Sequence, residues 1–175
     1  KDRLRIAPLG AQAKGDGSYR TLHDGTHGSA MNPFLKVRDQ LRYRGGGVLR
    51  AVLTFLRSIA GPAFGLSADV SRAHRRFRHS ESVWGLLACA LEDDVAELYL
   101  NCVGTFGAGS AGYWWGRLMG IIARTSISIT GRAILWQLIF ADDVNLLAKG
   151  VDGIRAAVVS LFVMVIFGVP SRGRS

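Results

Sequence analysis

Cysteine, acidic side chains and long apolar runs are all scarce in this sequence of 175 residues, and each scarcity removes a class of function. The two cysteines, Cys89 and Cys102, fall short of the four ligands of a structural zinc site, and both sit in apolar stretches where a free thiol acts as a small hydrophobe. They fit a reducing compartment, so an intracellular location, in cytoplasm or nucleus, is expected. Asp and Glu number 13 against 22 Lys and Arg, leaving a net charge of +9, with 11 of the basic residues within Lys1 to Arg57. A surplus of that sign suits a polyanionic partner, because basic side chains displace counterions from a phosphate backbone; a plain solvated basic face accounts for the charge equally well. The longest apolar window, Ala156 to Val169, is broken by Ser160 and Gly168 and is shorter than the roughly 20 residues a membrane span requires. It reads as a buried helix, and no membrane partner is expected. No signal peptide is visible. The sequence opens on Lys1 and stops in the polar tail Pro170 to Ser175, as a piece of something longer would.

What is present is a chain 49% hydrophobic, enough for one compact domain with a core and a smaller satellite subdomain. Lys14 to Arg20 contains the Asp16-Gly17 turn signal of a hairpin, with Leu4 to Leu9 and Tyr19 to Leu22 as candidate arms. A run of small and polar residues follows, Asp24 to Asn32. After the loop Gly45 to Gly47, apolar residues at Val48, Val52, Phe55, Leu56 and Ile59 have helical spacing, ended by Gly61-Pro62. Ala63 to Val70 reads as a strand, Ser71 to Arg78 as a short basic helix, and Val83 to Leu91 and Val95 to Val103 as strands joined by a turn at Glu92 to Asp94. A glycine-rich loop, Gly104 to Gly112, opens a helix through about Thr125. Ile134 to Ala141 and Val144 to Ala148 flank Asp142-Asp143, and Asp152 is placed to cap a last helix toward Phe167. This order predicts an α+β fold of the split βαββαβ, ferredoxin-like type, with its first and last strands side by side.

That topology gathers three carboxylates: Asp69 at the end of the first strand, and Asp142 and Asp143 at the tip of the last hairpin. Oxygen ligands so clustered suit Mg²⁺, and two such ions support in-line phosphoryl displacement. An Asp pair in a turn is, on its own, more often only a turn. Here both arms are apolar, Leu138 to Ala141 and Val144 to Leu147, which places the acidic tip on buried strands.

Phe140-Ala141-Asp142-Asp143 resembles the aromatic-x-Asp-Asp signature of reverse transcriptases, and Ala68-Asp69-Val70-Ser71-Arg72-Ala73-His74 resembles the first palm motif of that family. Phe106 to Gly112 is similar to the glycine loop beneath template and incoming nucleotide. Lys14 to Arg20 with His23-Asp24 resembles the fingers hairpin, and Phe167-Gly168-Val169-Pro170 the lead into later palm motifs. The matches stand in family order over most of the chain. The resemblance implies fingers elements over 1–60, a palm over 61–170, and a truncated tail over 171–175 without a thumb. It implies RNA-directed DNA polymerase activity with two Mg²⁺ or Mn²⁺ ions, acting on deoxynucleoside triphosphates and an RNA or DNA template with primer. Asp69, Asp142 and Asp143 would be catalytic metal ligands, with the Val70 carbonyl as a further one. Lys14 and Arg20 would hold the triphosphate; Val70, His74, Phe106 and Gly107 would complete the nucleotide site, His74 standing where the family commonly has Tyr or Phe. Gly112 and Gly109 depart from the bulkier residues usual in the loop. For Arg72, Arg75, Arg76 and Arg78, and for Trp114-Trp115, a solvated face and core packing compete with contacts to nucleic acid. Two rivals stand beside the polymerase: an inactive retroelement fragment that retains nucleic-acid binding, and a cyclase-type or RNA-binding module of the same topology, which leaves the basic N-terminal segment unexplained.

Overall fold

The computed structural model describes residues 4–27, 31–42, 45–90, 97–131, 135–169 and 171–173. In chain order these form β1 (Ile6–Ala7), β2 (Leu9–Ala13), β3 (Tyr19–His23), α1 (Gly46–Ser58), β4 (Ala63–Val70), β5 (Ala88–Cys89), β6 (Tyr99–Leu100), α2 (Gly109–Thr130), β7 (Leu135–Phe140), β8 (Asp143–Lys149), α3 (Gly150–Ile166) and β9 (Ser171–Gly173). Single-turn or short 3₁₀ segments occupy Asn32–Phe34, Ala73–Arg75 and Glu81–Leu87. The fold is mixed α+β. No helix among the described residues is long and apolar enough to cross a membrane. The predicted turn at Glu92 to Asp94 and the residue Pro170 lie outside the described residues.

The chain divides into two compact units, Lys1–Gln40 with His74–Trp115, and Leu41–Ala73 with Gly116–Ser175. In the second unit, a four-stranded sheet runs β7-β8-β4-β9. Alternation along β8 buries Val144, Leu146 and Ala148, and their antiparallel neighbour Ala68 on β4 shares that face. Helix α3 packs on β8 and buries Ala156, Ala157, Ser160, Val163 and Met164, and the Gln137 amide donates to Ser160 Oγ at 3.0 Å. Lys149, at the far end of β8, donates through Nζ to the Leu56 carbonyl at 2.8 Å, which satisfies one of the last carbonyls of α1.

In the first unit, β2 and β3 form an antiparallel hairpin whose turn is closed by Lys14 N–H to Ser18 carbonyl, 2.8 Å, and by Asp16 accepting from the Ser18 amide and hydroxyl. β1, β5 and β6 make a small separate sheet. Met31, Leu87, Ala108 and Ala111 form a buried cluster in this unit, with Leu35, Phe77 and Leu86 packed against them.

Several expectations need correction. The hairpin arm opposite Tyr19 is Leu9–Ala13 and not Leu4 to Leu9, because a tight turn pairs residues equally distant from it, and Ala13 faces Tyr19. The basic stretch after β4 makes only the Ala73–Arg75 turn, since Arg72 enters the left-handed region at φ 55° and interrupts helical geometry. Val83 to Leu91 is mostly a 3₁₀ segment, with two strand residues at its end; a short apolar run does not by itself distinguish strand from helix. The strand expected over Val95 to Val103 reduces to Tyr99–Leu100, and these two short strands lie in the sheet with β1, apart from β4. Of the two arms of the acidic hairpin, the one that pairs with β4 is the second, β8, and not β7. Finally, α3 begins at Gly150 with Lys149 at its N-cap position, and Asp152 lies in its first turn, bonded to Arg155 at 3.3 Å.

Candidate functional site

The carboxylates come together at one end of the four-stranded sheet. Register places Asp69 of β4 directly opposite Asp143 of β8, and Phe140 opposite Asp143 on the other side. Because Ala68 and Val144 point to the α3 face, Asp69 and Asp143 share the other face, each half-buried. Side chains directly opposite in such a ladder have Cβ atoms about 4.5–5.5 Å apart, and like charges there repel.

Asp142 is held at the tip by backbone geometry. Phe140 and Asp143 are partners, so Ala141 and Asp142 alone make the turn, and Ala141 takes φ 50°. A non-glycine residue in that region costs on the order of 1–3 kcal/mol, which the surrounding ladder must hold in place. The Val70 amide donates to the Asp142 carbonyl at 2.9 Å and pins the tip to the end of β4. Val70 itself is buried, so what it offers at this edge is backbone. Among the described residues no group of three or more His, Cys, Asp or Glu side chains is arranged to enclose a metal ion. The edge therefore presents an open pair with a third carboxylate beside it in sequence, and not a closed cage.

Of the residues expected to touch a nucleotide, Val70 belongs to the unit of the carboxylates, while Arg20, His74, Phe106 and Gly107 gather in the other unit. Phe106 is their centre: the Arg20 guanidinium lies 4.8 Å from its ring centroid, and the His74 ring meets it edge-on at 4.9 Å. Beside them opens a cavity of about 290 Å³ lined by His74, Thr105, Phe106, Gly107, Gly109 and Gly112. Gly107 has φ 91°, and a Cβ there would collide with the His23 carbonyl, so the glycine is dictated by close backbone approach. Lys14 sits in the exposed hairpin turn and joins none of these contacts. In the Trp114-Trp115 pair, Trp115 is buried and Trp114 is exposed, so core packing claims only the second.

Two further side chains organise this region: Asn32, which sequence reasoning passed over, and His23, which it read only as part of the fingers-like segment. Asn32 bonds to Gly107 and Gly109, and His23 is buried beneath the loop, its amide donating to the Phe106 carbonyl at 3.2 Å. Burial pushes the His23 imidazole below its ordinary pKa, with Asp24 acting weakly the other way. Asn101 Nδ2 stands 3.4 Å from His23 Nδ1 and also donates to the Leu87 carbonyl at 3.2 Å. A lone Asn at the end of a run of small and polar residues carries no local signal of such a role.

No protein-family model matches the sequence, and no curated protein matches it. Among solved structures, a foamy viral protease-reverse transcriptase, determined in complex with double-stranded DNA, aligns over 95% of this chain with a TM-score of 0.66 and 12% sequence identity. The match covers 26% of that longer chain. The likeness is one of fold: the protein has a reverse-transcriptase-like α+β fold.

Proposed function

We propose that this chain is the polymerising core of a reverse transcriptase from a retrotransposon-like element, adding deoxynucleotides to a primer 3′ end as an RNA or DNA template directs. The observation that carries the reading is the in-register opposition of Asp69 and Asp143 beside Asp142, in a chain with a reverse-transcriptase-like fold. Two carboxylates so opposed repel, and a hard dication shared between them relieves that repulsion. Mg²⁺ or Mn²⁺ fits the donor set, because Mg²⁺ is held by one or two carboxylates together with waters and substrate phosphates and needs no protein cage. Two such ions, when bound, activate the primer hydroxyl and neutralise charge on the leaving pyrophosphate.

On this reading Asp69, Asp142 and Asp143 supply the carboxylate ligands and the Val70 carbonyl a further oxygen. Arg20, splayed on Phe106, grips the triphosphate with a planar fork, and Lys14 adds a point charge. His74, Phe106 and Gly107 form the wall against sugar and base. Residues 1–60 serve as fingers and 61–170 as palm. The net charge of +9 and the double-stranded DNA bound by the foamy viral protein support a primer-template as partner, within the cell.

A second reading, a folded but silent fragment that only binds nucleic acid, is favoured by the glycine loop, where Gly109 and Gly112 depart from the pattern of reverse transcriptases. Primer extension on an RNA template, comparing the protein with its Asp142→Asn, Asp143→Asn variant, separates the two. The polymerase reading expects extension that the variant loses by at least a hundredfold while still retarding primer-template in a gel. Equal, background-level extension from both proteins overturns it.

A further inference from the structure

Asn32 uses both ends of its side-chain amide on the glycine loop. Nδ2 donates to the Gly107 carbonyl at 2.7 Å and to Thr26 Oγ1 at 3.1 Å, and Oδ1 accepts from the Gly109 amide at 2.8 Å. The orientation of the amide is fixed by its partners, since a carbonyl only accepts and a backbone N–H only donates. Gly109 is the first residue of α2, so its N–H is one of the helix's orphan donors. Asparagine is a preferred residue for capping such a donor, but here the cap arrives from 77 residues away. The approach is tight. A Cβ at Gly25 would stand 2.6 Å from the Gly107 carbonyl and 2.8 Å from Asn32 Nδ2. The Asn32 amide N–H in turn donates to the Gly25 carbonyl at 2.8 Å, and the His23 amide to Phe106.

The loop so held is the one that carries Phe106 and lines the cavity of about 290 Å³ beside His74. We infer that Asn32 is a positioning residue: it clamps Gly107 and Gly109 so that the cavity is formed before a nucleoside triphosphate arrives. This rests on the polymerase reading above. Preorganisation of this kind acts on binding, because the cost of ordering the loop is met in folding and not on association. Its loss therefore raises KM for the nucleotide and leaves kcat at saturation nearly unchanged.

Three variants of the whole chain test it. Asn32→Ala removes both loop bonds, Asn32→Asp keeps the acceptor for Gly109 but sets a carboxylate against the Gly107 carbonyl, and Thr26→Val removes only the side bond. Exchange of the Gly109 amide, followed by NMR, should quicken at least tenfold in Asn32→Ala and stay slow in Asn32→Asp and Thr26→Val. The KM for deoxynucleotide on a primer-template should rise about tenfold in both Asn32 variants and less than threefold in Thr26→Val, with kcat within twofold throughout. Unchanged Gly109 exchange in Asn32→Ala overturns the clamp. Wild-type KM in both Asn32 variants, or kcat falling in step with fold stability, overturns the positioning role while the polymerase reading stands. A wild-type protein that neither binds nucleotide nor extends a primer overturns both, and that control alone distinguishes the two failures.

Discussion

Asp69 and Asp143 stand directly opposite one another in the β4–β8 ladder, on the face turned away from α3. The ladder holds two like charges in register, an arrangement that costs stability unless a cation intervenes.

Asp69→Asn, which removes one of the two opposed charges, should therefore raise stability in metal-free buffer by about 0.2–1 kcal/mol, the size of a cross-strand pair. Millimolar Mg²⁺ should raise the Tm of the wild-type protein and leave the Asp69→Asn, Asp143→Asn double variant unmoved. Thermal unfolding with and without Mg²⁺ measures both effects. A double variant that gains as much from Mg²⁺ as the wild type contradicts the assignment of these carboxylates.

The glycines of the 104–112 segment should respond in opposite directions. Gly107→Ala places a Cβ against the His23 carbonyl at a positive φ and should cost more than about 2 kcal/mol. Gly112 lies within α2, with nothing within 4 Å of an added Cβ, so Gly112→Ala should gain up to about 1 kcal/mol from helix propensity. Urea titrations of the two variants provide the comparison.

Stability should also depend on pH through His23. Its pKa lies below the ordinary 6.5 because burial disfavours the imidazolium, so the unfolded chain binds more protons than the folded one. Stability is then full above about pH 6.5 and declines as pH falls through the window beneath it. Burial lowers His79 in the same sense. Asp24, held low by the Thr26 and His27 amides, remains ionised there and does not contribute. His23→Gln should flatten the fall in Tm between about pH 7 and pH 5. An undiminished fall in that variant assigns the effect elsewhere.

The parts legible in the sequence are those with strong local pattern. Ala63–Val70 is a strand over the residues expected, because Gly61-Pro62 bounds it and Phe64, Leu66, Ala68 and Val70 alternate with small or polar residues. The acidic hairpin was legible from its two apolar arms, and α3 from its length. The order of strands was not: both arms of that hairpin are equally apolar, so nothing local says which one lies against β4. Asn32 was hidden for a different reason. Its partners are 75 and 77 residues away, and a clamp between distant loops leaves no periodicity to read.

β7 terminates one side of the four-stranded sheet, and among the described residues its only strand partner is β8. Its sequence, Leu-Trp-Gln-Leu-Ile-Phe, holds no proline and no charge, the devices by which natural edge strands deter uninvited pairing. Trp136 and Phe140 on it are exposed. An unprotected edge of this kind is a template for pairing with another strand, so rising concentration should favour association through β7.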